Sequence, residues 1–337
     1  MRSLGFIAAY LLVGFGMNGK EYGGSFDFGL SFETTCALFA VPCLAMVPVS
    51  WLLVQEQQLR ARPVPREYFR GVWRLMSSGF FFSVVLFSFV YTAIGTVSSP
   101  AGIGVQRYWA GVQNLQKQIF GLVSQGIFAF GLALTKRYLL NYSWRKLLFY
   151  TMLLITSIDV FFSACVVFDV VRNQYFFLGE AFLTELPYAV QFLVTTFIVV
   201  EAADQDNGGL VYGLLTTAHN IGLSFSRPFS NQIFGLFRPS LSDSANFVED
   251  APSFRAAVMW SFVIGYAFSF AAQTVLPLLP SQKAQAQERK RSWSSSPRIG
   301  CFSVTLLGLA FVYSVTLTFL AMFPSTACLR IVGGSGC

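Results

Sequence analysis

Long apolar runs separated by short polar segments dominate this chain. Nine runs are present, each about 15 to 29 residues long, close to the roughly 20 residues that a helix needs to cross a bilayer. They fall at 3–17, 34–54, 76–97, 119–135, 147–170, 175–201, 209–237, 254–280 and 301–323. Continuous runs of this length favour helices over the short alternating strands of a membrane barrel. The pattern predicts an all-α integral membrane protein with about nine transmembrane helices.

The composition agrees with this class. Of 337 residues, 54% are hydrophobic and only 12% are charged, whereas soluble domains carry about 25% charged residues. The net charge of +7 comes from basic residues clustered in short loops, which is a topology signal and argues against nucleic acid as a partner. The six cysteines lack metal-ligand spacing. No nucleophile–base motif or phosphate loop is present, so we predict no enzyme activity, cofactor or metal.

The basic loops also predict the orientation. Loops 55–75, 136–146 and 281–300, which lie on one side, carry together with Arg2 15 Lys and Arg residues, against 6 in the opposite loops. Because Lys and Arg concentrate on the cytoplasmic side, we expect a cytoplasmic N-terminus and an extracellular or lumenal C-terminus.

Segment 209–237 is unusually polar for a membrane span. At 100° per residue, Thr216, Asn220 and Arg227 share one helix face. A polar stripe with a cation on an apolar helix is typical of a helix that lines a water-filled cavity. We therefore predict that these three residues contact a polar or anionic solute.

Segment 175–201 is the second unusual span. Glu180 and Gln191 lie on one helix face beside Pro187, and Glu185 lies on its flank. The functional interpretation is proton coupling by the two carboxyl groups and solute contact by Gln191. The alternative is that Glu180 simply reaches interfacial water. An ion pair between Arg227 and one of the glutamates is geometrically possible, either opened by an anionic solute or purely structural.

Three further polar residues lie within apolar runs. Asp159 is a candidate coupling carboxylate or a structural hydrogen-bond acceptor. His219 is a candidate proton site or a neutral hydrogen-bonding group. Gln125 is a candidate pocket residue.

Two cysteines flank a short segment near the C-terminus. Eight residues, including several glycines, separate Cys328 from Cys337 on the predicted outer side. This spacing allows a disulfide in an oxidising compartment. The other four cysteines lie in or beside spans and are interpreted as small apolar residues.

The chain resembles the folate–biopterin transporters, a branch of the major facilitator superfamily, in versions like those of oomycete-type protists. The matching pieces are Ser143-Trp144-Arg145-Lys146, Arg172-Asn173, the run GLLTTAHNIG at 213–222 and the terminal CLRIVGGSGC at 328–337. The resemblance covers roughly residues 70–337.

The resemblance implies a twelve-helix bundle in two halves, of which this chain carries one half and part of the other. The implied divisions are a remnant of the N-terminal half at 1–54, a basic central loop at 55–75, a six-helix C-terminal half at 76–280, and an extra helix with an outer tail at 301–337. The composition of segment 281–300 separately predicts a polar, mobile linker between the last two. About four N-terminal helices are missing from that pattern, so a partner chain supplying them is one expectation.

Two functions follow as hypotheses. The first is a secondary transporter of the folate–biopterin type that moves a polar or anionic organic solute by alternating access and couples it to protons. The second is a truncated, non-transporting membrane protein that acts as a receptor or partner subunit. The expected partners of the chain are a small organic solute and the lipid bilayer.

Overall fold

The computed structural model describes residues 2–22, 24–53, 65–204, 207–334 and 336. Within these residues the chain is helical, and its only extended pairings are single bridges, Gly19 with Phe26 and Ser78 with Ser295. The α-helices are α1 (Arg2–Leu11), α2 (Phe32–Leu53), α3 (Pro65–Met76), α4 (Gly79–Gly95), α5 (Ala101–Gly104), α6 (Asn114–Tyr138), α7 (Trp144–Val167), α8 (Gln174–Ala202), α9 (Gly208–Phe234), α10 (Ser244–Glu249), α11 (Pro252–Ala272), α12 (Lys283–Ser292), α13 (Pro297–Met322) and α14 (Pro324–Ala327). Two π-helical turns, Leu12–Gly16 and Val105–Trp109, and three 3-10 segments, Lys20–Tyr22, Gln273–Leu278 and Arg330–Val332, complete the secondary structure.

Six of the described helices are long and apolar enough to cross a membrane. They are α2, α6, α7, α8, α11 with its 3-10 extension, and α13. The protein is therefore an all-α, multi-pass membrane protein, which confirms the predicted class. Every predicted run contains a helix, but α1 and α4 are shorter apolar helices and α9 is too polar to join the six. The expected count of nine spans is thus reduced to six.

Local sequence signals explain where several helices begin. The Asn173 side chain caps α8 by accepting a hydrogen bond from the backbone N–H of Tyr175 at 2.8 Å, which satisfies one of the free donors in the first turn. Helices α11 and α13 begin with proline in their first turn, where the missing N–H costs nothing.

The helices pack pairwise into one bundle. Helix α4 packs along α9, and α8 packs against both α6 and α7. Helix α11 contacts α4 and α7, and α13 packs mainly against α9. Helix α2 is the exception, because none of its apolar window is buried. One buried cluster surrounds α4 and α9, and a second surrounds Trp109, Phe247 and Phe254 at the opposite end.

One predicted linker is ordered. Segment 281–300 was expected to be mobile, yet it contains α12, which is fixed to the end of α8. Lys283 pairs with Glu201 at 3.1 Å, and Lys290 pairs with Asp204 at 2.7 Å. A polar segment can therefore be helical here because its lysines meet the carboxylates that end α8. In segment 55–75, helix α3 begins at Pro65, and residues 54–64 lie outside the described part.

Candidate functional site

A cavity of about 520 Å³ lies inside the bundle. Residues of α4, α7, α8, α9 and α11 line it, together with the segment that follows α4. Its size is in the range of sites for small organic ligands. Four predicted site residues contribute to its wall, namely Asp159, Glu180, Gln191 and His219.

Two carboxyl groups meet in this cavity. Asp159 comes from α7 and Glu180 from α8, both line the cavity, and their carboxyl groups lie within electrostatic range of each other. The Ser163 hydroxyl donates to Asp159 Oδ1 at 3.1 Å, because residues four apart lie on one helix face. The antiparallel packing of α7 on α8 therefore turns two isolated acidic residues into a pair.

Two tyrosine side chains of the cavity wall lie near the carboxyl pair. Tyr188 lies within electrostatic range of both carboxyl groups, of Glu185 and of Tyr91. The Tyr266 hydroxyl is buried near Asp159 and Ser163, with no hydrogen bond in the described residues that meets normal geometry. Sequence analysis missed these tyrosines because an aromatic residue in a span is usually apolar packing.

Gln273 is a further cavity residue that sequence analysis missed. It is only 9% exposed, and its Oε1 has no hydrogen-bond partner in the described residues. Its Nε2 donates to the Tyr91 hydroxyl at 3.4 Å and to the Ser269 carbonyl at 3.3 Å. A glutamine inside the run 254–280 was a signal in the sequence, since an amide in a span needs partners.

His219 enters the cavity from α9. Its Nδ1 lies 2.9 Å from the Thr92 hydroxyl oxygen, and that hydroxyl also donates to the Ser88 carbonyl at 2.8 Å. Because threonine has a single hydroxyl proton, its oxygen accepts a hydrogen bond from His219 Nδ1–H. The tautomer is thereby set, and Nε2 is the ring nitrogen available to a ligand.

A close approach of α4 and α9 positions this histidine. A Cβ atom on Gly222 would lie only 2.8 Å from the Phe89 carbonyl oxygen and 3.0 Å from Thr92 Cβ. Only glycine lets the two backbones come this near. The contact turns the face of α9 that carries Ala218 and Gly222 toward α4 and places the neighbouring His219 at the cavity.

The same rotation turns the predicted stripe of α9 away from the cavity. Asn220 lines a separate cavity of about 450 Å³ between α9 and α13, and Thr216 lines neither cavity. Arg227 is exposed and forms no hydrogen bond or ion pair in the described part of the chain. Of these three residues only Asn220 lines one of the two cavities, and none of them lines the central one, so their contact with a solute stays a prediction.

The predicted pair between Arg227 and a glutamate does not form among the described residues. Glu180 faces Asp159 instead. Glu185 is half-buried on α8 and does not line the cavity, and Gln125 is half-buried on α6, also outside it. Cavity position therefore separates Glu180, which lines the central cavity, from Glu185, which does not.

At the C-terminal tail, Cys328 is disulfide-bonded. Its predicted partner, Cys337, lies outside the described residues. Cys36, Cys43, Cys165 and Cys301 are free thiols.

An ion cluster closes the end of the bundle where α7 ends and α11 begins. Asp250 receives bonds from Arg172 at 2.6 Å and from Arg255 at 2.9 Å. Burial raises the pKa of Asp250, but the hydrogen bonds and charges of the two arginines outweigh it and lower the pKa to about 2. Arg172 also stacks over Trp109, 4.8 Å from the ring centre. These arginines, like Arg227, lie outside the cavity.

Comparisons with known protein families, with curated proteins and with solved structures find no match to this chain. The fold and the site define a multi-pass helical membrane protein with a cavity whose wall carries both polar and aromatic side chains.

Proposed function

We propose that this protein is a secondary transporter that carries a polar organic solute through the central cavity by alternating access. The observation that carries the proposal is the meeting of Asp159 and Glu180 in a ligand-sized cavity between membrane-spanning helices. Ionisable residues inside a membrane are costly and mark solute or proton paths. The two carboxyl groups are the coupling site, and His219 Nε2 is an auxiliary proton acceptor.

The pair can couple because adjacent carboxylates repel each other. One proton shared between Asp159 and Glu180 removes that repulsion. A solute that pairs with the carboxylates favours release of this proton, and proton uptake favours solute release. This exchange requires a conformational change that opens the cavity to each side in turn.

The family resemblance favours a transporter, whereas the anion clamp expected at Arg227 is not part of the proposal. A major-facilitator-like bundle with α9 among its spanning helices belongs to this proposal. At 27 residues, α9 has a length of about 40 Å, enough to cross the hydrocarbon core. An anion clamp at Arg227 is not supported by the geometry, because that side chain lies outside the central cavity.

Proton flux in proteoliposomes tests the proposal. Vesicles containing the full chain and an internal pH dye are exposed to a panel of organic cations, neutral solutes, folate and other organic anions. We expect at least one solute to drive proton movement. The double variant Asp159→Asn/Glu180→Gln should lose this movement, while Glu185→Gln, a carboxyl change on the same helix outside the cavity, should keep it.

The receptor or partner-subunit alternative gives a different result in the same experiment. A solute that binds without any flux, in vesicles where a reference transporter works, would contradict transport and favour the alternative. Unchanged flux in the double variant would contradict the assigned coupling pair.

A further inference from the structure

We propose that the ligand of the central cavity is a protonated organic amine carrying an apolar or aromatic body. This inference rests on the proposed transport function and adds the charge class of the solute. It departs from the anionic solute that the family resemblance implies.

The charges on the cavity wall carry the first step. Asp159 and Glu180 line the cavity, and no lysine or arginine is among the described lining residues. A wall with carboxyl groups and no fixed cation attracts positive ligands and repels negative ones, most strongly where water is scarce. An organic anion here would meet two carboxyl groups without a compensating charge.

The aromatic lining carries the second step. Five rings face the cavity, those of Tyr91, Tyr188, Tyr266, Phe177 and Phe262. Aromatic faces attract ammonium groups and also pack against apolar bodies. Tyr188 lies within electrostatic range of both carboxyl groups, so the aromatic surface and the negative charge occupy the same part of the cavity.

An unsatisfied acceptor carries the third step. Gln273 is 9% exposed, and its Oε1 has no donor in the described residues. A buried carbonyl without a hydrogen bond is costly, so such a group indicates a donor that arrives with a ligand. A protonated primary amine brings three N–H donors, whereas a carboxylate or a quaternary ammonium brings none.

Binding of matched probes to the full chain in zwitterionic lipid nanodiscs tests the inference. Radiolabelled 2-phenylethylammonium is displaced by unlabelled amine, by its neutral analogue 2-phenylethanol and by its anionic analogue phenylacetate, with empty nanodiscs as background. We expect the alcohol and the acid to bind at least about tenfold more weakly than the amine, since each tenfold corresponds to about 1.4 kcal/mol.

Variants assign that selectivity to the cavity. Asp159→Asn and Glu180→Gln should each weaken amine binding about tenfold or more, and Glu185→Gln should change it less than about twofold. Gln273→Leu should weaken binding of the primary amine more than that of its trimethylammonium analogue. If a carboxyl variant does not fold, the selectivity of the unmodified protein among the three probes still decides the charge class.

The outcomes separate this inference from the transport proposal. Phenylacetate binding as tightly as the amine, or full amine affinity in the folded double carboxyl variant, would overturn the cation site. Selective amine binding without amine-driven proton flux would overturn transport and leave the cation site standing. Proton flux driven only by an anion would support transport and overturn the cation site.

Discussion

The contact between α4 and α9 offers a sharp test of how the site is built. In Gly222→Ala, the new Cβ would lie 2.8 Å from the Phe89 carbonyl oxygen, whereas ordinary contacts begin near 3.4 Å. The helices must therefore part by about 0.6 Å, the difference between these two distances. Overpacking of this kind costs about 1–3 kcal/mol.

Gly213→Ala is the matched control on the same helix. A Cβ at Gly213 meets nothing within 4 Å, so it adds no clash. Both variants gain the same helix propensity, about 1 kcal/mol, which cancels in their comparison. Gly222→Ala should therefore be less stable than Gly213→Ala by about 1–3 kcal/mol, and its melting temperature should be lower by several degrees.

The larger distance between α4 and α9 in Gly222→Ala should also change the position of His219 at the cavity. Moving α9 away by about 0.6 Å stretches the 2.9 Å contact between Thr92 and His219 Nδ1 to about 3.5 Å, where a hydrogen bond is largely lost. His219 is the only histidine in the chain, so its imidazole nitrogen signals can be read alone by NMR in protein labelled at histidine. We expect a changed Nδ1 signal in Gly222→Ala and an unchanged one in Gly213→Ala.

Thermal unfolding in detergent, followed by tryptophan fluorescence, measures the stability difference. Equal melting temperatures for the two variants, together with identical histidine signals, would refute the argument that glycine is needed for the α4–α9 approach.

Two further predictions concern the ends of the bundle. The two arginines lower the pKa of Asp250 from 3.8 to about 2, so the stabilisation by its carboxylate is complete above about pH 3.8 and is lost as the pH falls toward 2. Asp250→Asn should therefore lower the melting temperature at neutral pH and make it depend less on acid. An equally steep acid dependence in the variant would contradict this. Arg145 donates a hydrogen bond from Nε to the Leu279 carbonyl at 2.7 Å. Because lysine cannot reproduce the guanidinium fork, Arg145→Lys should lower the free energy of unfolding by about 1–3 kcal/mol in chemical denaturation. Lys146→Ala, at the exposed neighbouring residue, should change it little in the same experiment.

Hydrophobic patterning predicted the helical class because a long apolar run has few other solutions in a membrane. It located a helix in each of the nine runs and singled out Asp159, Glu180, Gln191 and His219, since any polar group in such a run is conspicuous. Periodicity also grouped Thr216, Asn220 and Arg227 on one face. These results depend only on local spacing along the chain.

The direction in which each face points depended on contacts between distant segments. Gly222 against Phe89 rotates α9 so that His219 enters the cavity and Asn220 faces α13. Helical periodicity specifies which residues share a face, but it contains no information about the neighbouring helix. Periodicity alone therefore could not show that Arg227 lies outside the central cavity.

The sequence by itself determined the class of this protein, the positions of its helices and the polar residues that interrupt them, because burial in lipid restricts the composition of every span. Only the tertiary structure decided that Asp159 meets Glu180, that Tyr188 and Gln273 join them, and that the arginines stay outside the cavity. The physical reason is that the charge and shape of a cavity come from several helices at once, and their rotations are set by close packing between them.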